Sequence, residues 1–70
     1  MAKQTVENND TGSLKAPGAT VKVGDLVQIT GEKTPRKVTY IMGAGDRQHL
    51  CFRGTGKVPT GPVEFEILAD

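Results

Sequence analysis

His49 and Cys51 are the residues best suited to chemistry, and they stand two apart in the run Gln48-His49-Leu50-Cys51-Phe52-Arg53. On a strand that spacing turns both side chains to one face, where an imidazole and a thiol could ligate one metal or work as base and nucleophile. Neither set is complete. The chain has a single His and a single Cys, and no acidic cluster supplies the missing ligands. A catalytic thiol also needs a lowered pKa, an orienting group and an oxyanion site, and a strand interior offers none of them. The pair therefore reads as a packing cysteine beside a surface histidine, with no catalytic residue, no metal site and no cofactor. Gly43-Ala44-Gly45-Asp46-Arg47 has the glycine spacing of a phosphate loop, but no helix comes after it whose N-terminus would hold the anion. It reads as a hairpin connection.

The remaining candidates are basic. Residues 31–57 carry Lys33, Arg36, Lys37, Arg47, Arg53 and Lys57 against Glu32 and Asp46, whereas residues 58–70 carry Glu64, Glu66 and Asp70 and no base. The whole chain is nearly neutral, at a formal +1, so a strongly basic nucleic-acid binder is excluded. The uneven distribution still permits a bipolar surface. If the six cations converge, they form a phosphate-contacting stripe for salt-dependent binding. Tyr40 and Phe52 are the aromatics close to them in sequence and suit the core, which leaves little for base stacking.

These residues must be positioned by a small scaffold. Seventy residues allow one domain at most, and at this size only about 60% of the unfolded chain's surface is buried on folding. One cysteine permits no internal disulfide, so a partner or self-association is a natural aid to stability. The start of the chain lacks the apolar stretch of a secretory signal, and no run approaches a membrane span. With a lone thiol, this reads as a cytoplasmic protein that does not engage membranes.

Residues 1–20 mix Asn8, Asn9, Asp10, Thr11, Gly12, Ser13, Pro17 and Gly18 with scattered aliphatics and no periodicity. Too little can be buried to offset the ordering entropy, which predicts a disordered N-terminal arm. The domain, residues 21–70, then begins. Val21 to Ile29 is rich in strand formers and is interrupted by Gly24-Asp25, a bend or bulge. Glu32-Lys33-Thr34-Pro35 is a turn, since proline restricts both itself and Thr34. Lys37–Met42 and Gln48–Arg53 are the second and third strands. Val58-Pro59-Thr60-Gly61-Pro62 is too proline-rich for a central strand. Val63-Glu64-Phe65-Glu66-Ile67 alternates without exception, so Val63, Phe65 and Ile67 face a core and the two glutamates face water. No window has helical spacing free of glycine and proline. The class is all-β, a small barrel of four to five short strands, because curling relieves the exposed edges of a flat sheet.

Val23-Gly24-Asp25-Leu26-Val27-Gln28-Ile29, with a loop and then Lys37-Val38-Thr39-Tyr40-Ile41, resembles the opening of SH3-like barrels of the KOW type. The order of Gly24-Asp25-Leu26-Val27, Val38-Thr39 and Cys51-Phe52 is more similar still to the YodC-like small bacterial proteins. The tryptophan usual after that cysteine is absent, and Thr34-Pro35 stands where KOW modules carry a loop glycine. The resemblance implies an SH3-like fold over residues 21–68; it implies no function, since folds host many.

A marginal core, strand edges and a pliant arm predict a non-enzymatic interaction or assembly module that binds a protein partner or itself, of a kind suited to a bacteriophage or mobile-element genome. The alternative is a nucleic-acid-binding module using Lys33, Arg36, Lys37, Arg47, Arg53 and Lys57. No small-molecule substrate is implied.

Overall fold

The computed structural model describes residues 3–68. It contains six strands: β1 (Lys3–Asn8), β2 (Ser13–Lys15), β3 (Leu26–Ile29), β4 (Arg36–Met42), β5 (His49–Phe52) and β6 (Gly61–Leu68). A single 3-10 turn, Gly45–Arg47, is the only helical element among the described residues. All pairings are antiparallel, and the sheet order is β1-β6-β3-β4-β5-β2.

That order sets the shape. β1 and β2 lie at opposite ends of the sheet yet are joined by residues 9–12 alone. In a flat sheet the two edges would stand about 24 Å apart, at about 4.8 Å per strand. So short a connector reaches about 17 Å when fully extended, so the sheet must curl. The molecule measures 28 × 27 × 24 Å as a result. No ladder joins β1 to β2 among the described residues, so the sheet does not close into a barrel.

The open seam is instead crossed by the segment before β6. Val58 is buried and its N–H donates to Thr11 O at 2.8 Å, while the buried Asn8 amide donates to Pro59 O at 2.7 Å and Asp10 O at 3.0 Å. Asp10 completes the turn by accepting from Gly12 N–H and the Ser13 hydroxyl.

The expected disordered arm is therefore corrected. Residues 3–8 pair along β6 from Lys3 opposite Glu66 to Asn8 opposite Gly61, and Ser13–Lys15 pairs with β5. Leu14, Ala16 and Ala19 enter the core. Composition measures side-chain burial, whereas this ladder is made by backbone groups and needs few apolar side chains. Residues 1 and 2 lie outside the described residues.

The first expected strand is also shortened. Gly24 adopts φ +102°, Asp25 N–H donates to Lys22 O at 3.0 Å, and the Asp25 carboxylate accepts from Lys22 N–H. This turn replaces the expected interruption within a strand, and β3 starts only at Leu26. At the other end β6 begins two residues early, through Pro62. β3 covers only the stretch of β6 from Phe65 to Leu68, so at Pro62 β1 is the sole ladder partner.

The core comprises Leu14, Ala16, Ala19, Val27, Ile29, Val38, Leu50, Val58, Val63 and Phe65. Val63 and Phe65 are buried and Glu64 exposed, as the alternation requires. Ile67 packs half-buried against this core, and Glu66 is half-covered because Lys3 and Gln28 flank it on neighbouring strands.

Candidate functional site

β4 holds the residues that matter, and its alternation breaks in the middle. Val38 lies opposite Phe52 but Tyr40 lies opposite Cys51, so Thr39 is an extra residue, a bulge. Its hydroxyl donates to Cys51 O at 3.3 Å. A bulge re-aims the side chains beyond it. Arg36 and Val38 point inward, but beyond Thr39 it is Ile41 that packs on the core, while Tyr40 and Met42 turn outward at 60% and 41% exposure. Tyr40, expected to suit the core, is thus a surface residue. Period-2 reasoning puts Tyr40 on the same face as Val38, and no composition signal marks the bulge.

Cross-strand rows lead from these two residues through half-buried partners on β5 to β2, where Ser13 is buried. Tyr40 lies opposite Cys51 and Cys51 opposite Ser13; Met42 lies opposite His49 and His49 opposite Lys15. Cys51 and His49 do share a face, as their spacing implies, and both are half-buried. Ser13 Oγ donates to Asp10 Oδ2 at 3.0 Å and stands 3.4 Å from His49 Nδ1. The hydroxyl lies between carboxylate and imidazole, an order that commits its proton to Asp10 and gives histidine no orienting acid. Burial, reinforced by the Asp10 charge, pushes the Cys51 thiol above its ordinary value, the opposite of what a nucleophile needs. No group of three or more His, Cys, Asp or Glu side chains is placed to hold a metal ion among the described residues.

The basic residues separate into three groups. Arg36 is 5% exposed. Its Nε and Nη2 donate to both Glu32 carboxylate oxygens, Nη1 donates to Thr55 Oγ1 and Gly56 O at 3.1 Å each, and Nη2 reaches Lys57 O at 3.3 Å. The guanidinium also lies 5.6 Å from the centre of the Phe52 ring. All five N–H groups are therefore used, which removes Arg36 from the candidate contacts and makes it a clamp between the loop before β4 and the loop after β5. The hydrogen bond from Arg36 holds the Glu32 carboxyl below its ordinary value, and Glu32 raises the guanidinium in turn.

Arg47 sits in the β4–β5 connection, beyond Met42, whereas Lys33 precedes Arg36. Seven residues of strand put the two ends about 20 Å apart, so Arg47 stands apart from the cations at the Arg36 end. Lys33, Lys37, Arg53 and Lys57 remain, all exposed at the Arg36 end. None of the four enters an ion pair among the described residues. A groove of about 370 Å3 opens between the clamped loops, lined by Glu32, Lys33, Thr34, Pro35, Arg36 and Thr55.

No family model, curated protein or solved structure matches this chain. The geometry alone carries the functional reading. Two large apolar side chains stand on an outward sheet face, four cations without an ion pair among the described residues border one end of it, and burial raises the Cys51 thiol above its ordinary value. No helix among the described residues is long and apolar enough to cross a membrane.

Proposed function

We propose that this chain is a non-enzymatic interaction module that binds a protein partner, or a second copy of itself, through the outward face of β4, β5 and β2. The supporting observation is the pair Tyr40 and Met42, side by side in the open on one strand, with Val23 the one other exposed large apolar residue among the described residues. Exposed tyrosine and methionine are enriched where proteins meet, and methionine adapts to irregular apolar partners. The curled sheet is read as an open SH3-like barrel, related to the YodC-like proteins, that works in the cytoplasm. Nucleic-acid binding by the basic turns loses support, because Arg36 is consumed internally and Arg47 stands at the far end.

Sedimentation across a concentration series, with affinity capture from a cell extract, tests the reading. The Tyr40→Ser/Met42→Ser variant should lose the self-association or the retained protein that the parent shows. Identical behaviour of the two chains in both measurements would overturn it.

A further inference from the structure

We infer that the partner segment is an acidic polypeptide carrying apolar anchor side chains, an inference that rests on the protein-binding reading above. The bulge at Thr39 gives β4 an outward surface with two successive characters. Lys37, beside the Val38–Phe52 pair, and Arg53, directly after Phe52, are cationic; the next pairs along, Tyr40–Cys51 and Met42–His49, present the phenol and the thioether. Charge and apolar surface therefore follow one another on one strand, with Lys37 and Tyr40 three positions or about 10 Å apart. Lys33 and Lys57 extend the cationic end, and the Arg36 clamp holds the backbone on which both stand through contacts to Glu32 and to Lys57 O.

Electrostatic complementarity names the partner's sign. The four cations have no anionic side chain paired with them among the described residues. Asp10 is engaged by Gly12 and Ser13 at the far margin of the face, and Asp46 lies in the turn beyond Met42. The cationic end is thus open to carboxylates, which would steer the partner and fix its direction along β4. A nucleic acid fits less well. Single strands are held by repeated aromatic platforms along a charged track. Here Tyr40 is the one well-exposed aromatic among the described residues, since Phe52 is half-buried against Arg36 and Phe65 is buried. Met42 beside it offers an apolar contact and no stacking plane. An extended acidic peptide with alternate apolar residues would match both characters at strand spacing.

Fluorescence anisotropy on the full chain separates the outcomes, using three labelled probes of equal length: a peptide alternating glutamate with leucine, an all-glutamate peptide, and oligothymidylate. The glutamate–leucine probe should bind at least about tenfold more tightly than either other probe. Its binding should weaken by about tenfold in Lys37→Glu/Arg53→Glu and in Tyr40→Ser/Met42→Ser, and should decline with added salt. Unchanged melting temperatures would show that both variants keep the fold. Equal binding of the two peptides would reduce the face to charge alone and overturn the anchored-peptide inference. Tighter binding of oligothymidylate would overturn it in favour of a nucleic acid. Failure of the glutamate–leucine probe to bind, with Tyr40- and Met42-dependent capture intact, would overturn this inference and leave the interaction module standing; loss of both would remove the two together.

Discussion

Val38 and Tyr40 are two residues apart on the same strand, yet Val38 is fully buried and Tyr40 is 60% exposed. Thr39 lies between them as the unpaired residue of a bulge, so the inward side of β4 before it becomes the outward side after it. The core and the candidate contact face are consecutive parts of one strand. The two residues should respond to mutation in opposite ways. Val38→Ala should cost about 2 kcal/mol through lost burial and a residual cavity, whereas Tyr40→Ser should stay within about 0.5 kcal/mol, as expected of an exposed site. Urea denaturation of both variants gives the comparison; equal losses would place Tyr40 in the core.

Replacing Arg36 by alanine strands the Glu32 carboxylate and the Gly56 and Lys57 carbonyls at once. Glu32 keeps 28% of its side chain in contact with solvent, which softens the penalty of a fully buried pair to about 2–4 kcal/mol. Arg36→Lys should recover only part of this, since an ammonium cannot span the carboxylate and the opposite loop together. Chemical denaturation measures both. A neutral Arg36→Ala change would show that the clamp contributes nothing.

The same pair sets an acid limit. Glu32 has a folded-state pKa lowered chiefly by its hydrogen bond from Arg36, so its contribution to stability is present above the ordinary glutamate value and is lost as pH falls through the depressed folded value. Asp10 adds a contribution of the same sign, lowered first by the Gly12 N–H and then by the Ser13 hydroxyl. The melting temperature should therefore hold near neutrality and decline in the acid range. Glu32→Gln should flatten part of that decline and Glu32→Gln/Asp10→Asn more of it. Parallel acid profiles for parent and variants would show that other groups carry the effect.

Leu14 lies on a three-residue strand in a segment of low hydrophobicity, but its side chain is fully buried. Leu14→Ala should cost about 2–5 kcal/mol, within reach of the 3–5 kcal/mol or so expected for Phe65→Ala. Hydrogen exchange should protect amides of β1 and β2 together with those of β6 and β5. Rapid exchange throughout residues 3–15 with a harmless Leu14→Ala would return that segment to the status of an arm.

Gly43 ends β4 at φ +74°, and a Cβ there would collide with the Arg47 carbonyl oxygen. Gly43→Ala combines a left-handed backbone cost of about 1–2 kcal/mol with a contact that backbone must move to relieve. A loss above about 2 kcal/mol is expected by thermal melting, while Gly45→Ala, with open space around its Cβ position, should lose only the backbone part. Equal losses at the two positions would mean that the Arg47 carbonyl is not in the way.

The features that the residues alone determine are local and periodic. The all-β class, the turns at residues 32–35 and 43–47, and the inward set Val63 and Phe65 come from β-branched runs, breakers and strict alternation, because each depends on neighbours within a few positions. The two N-terminal strands do not. Lys3–Asn8 is ordered by pairing with Gly61–Glu66, some sixty positions away in the chain, and Leu14 is buried by Leu50 and its neighbours across the β2–β5 ladder. The same holds for the candidate site. The basic residues are visible in the sequence, but only the folded chain brings Glu32 and the 55–57 loop around Arg36, sends Arg47 to the opposite end, and leaves Lys33, Lys37, Arg53 and Lys57 exposed together. Tyr40 shows the limit most simply: one extra residue in a ladder reverses the face of everything after it, and that residue is set by the register of two strands against each other, a tertiary fact that neither strand's own sequence contains.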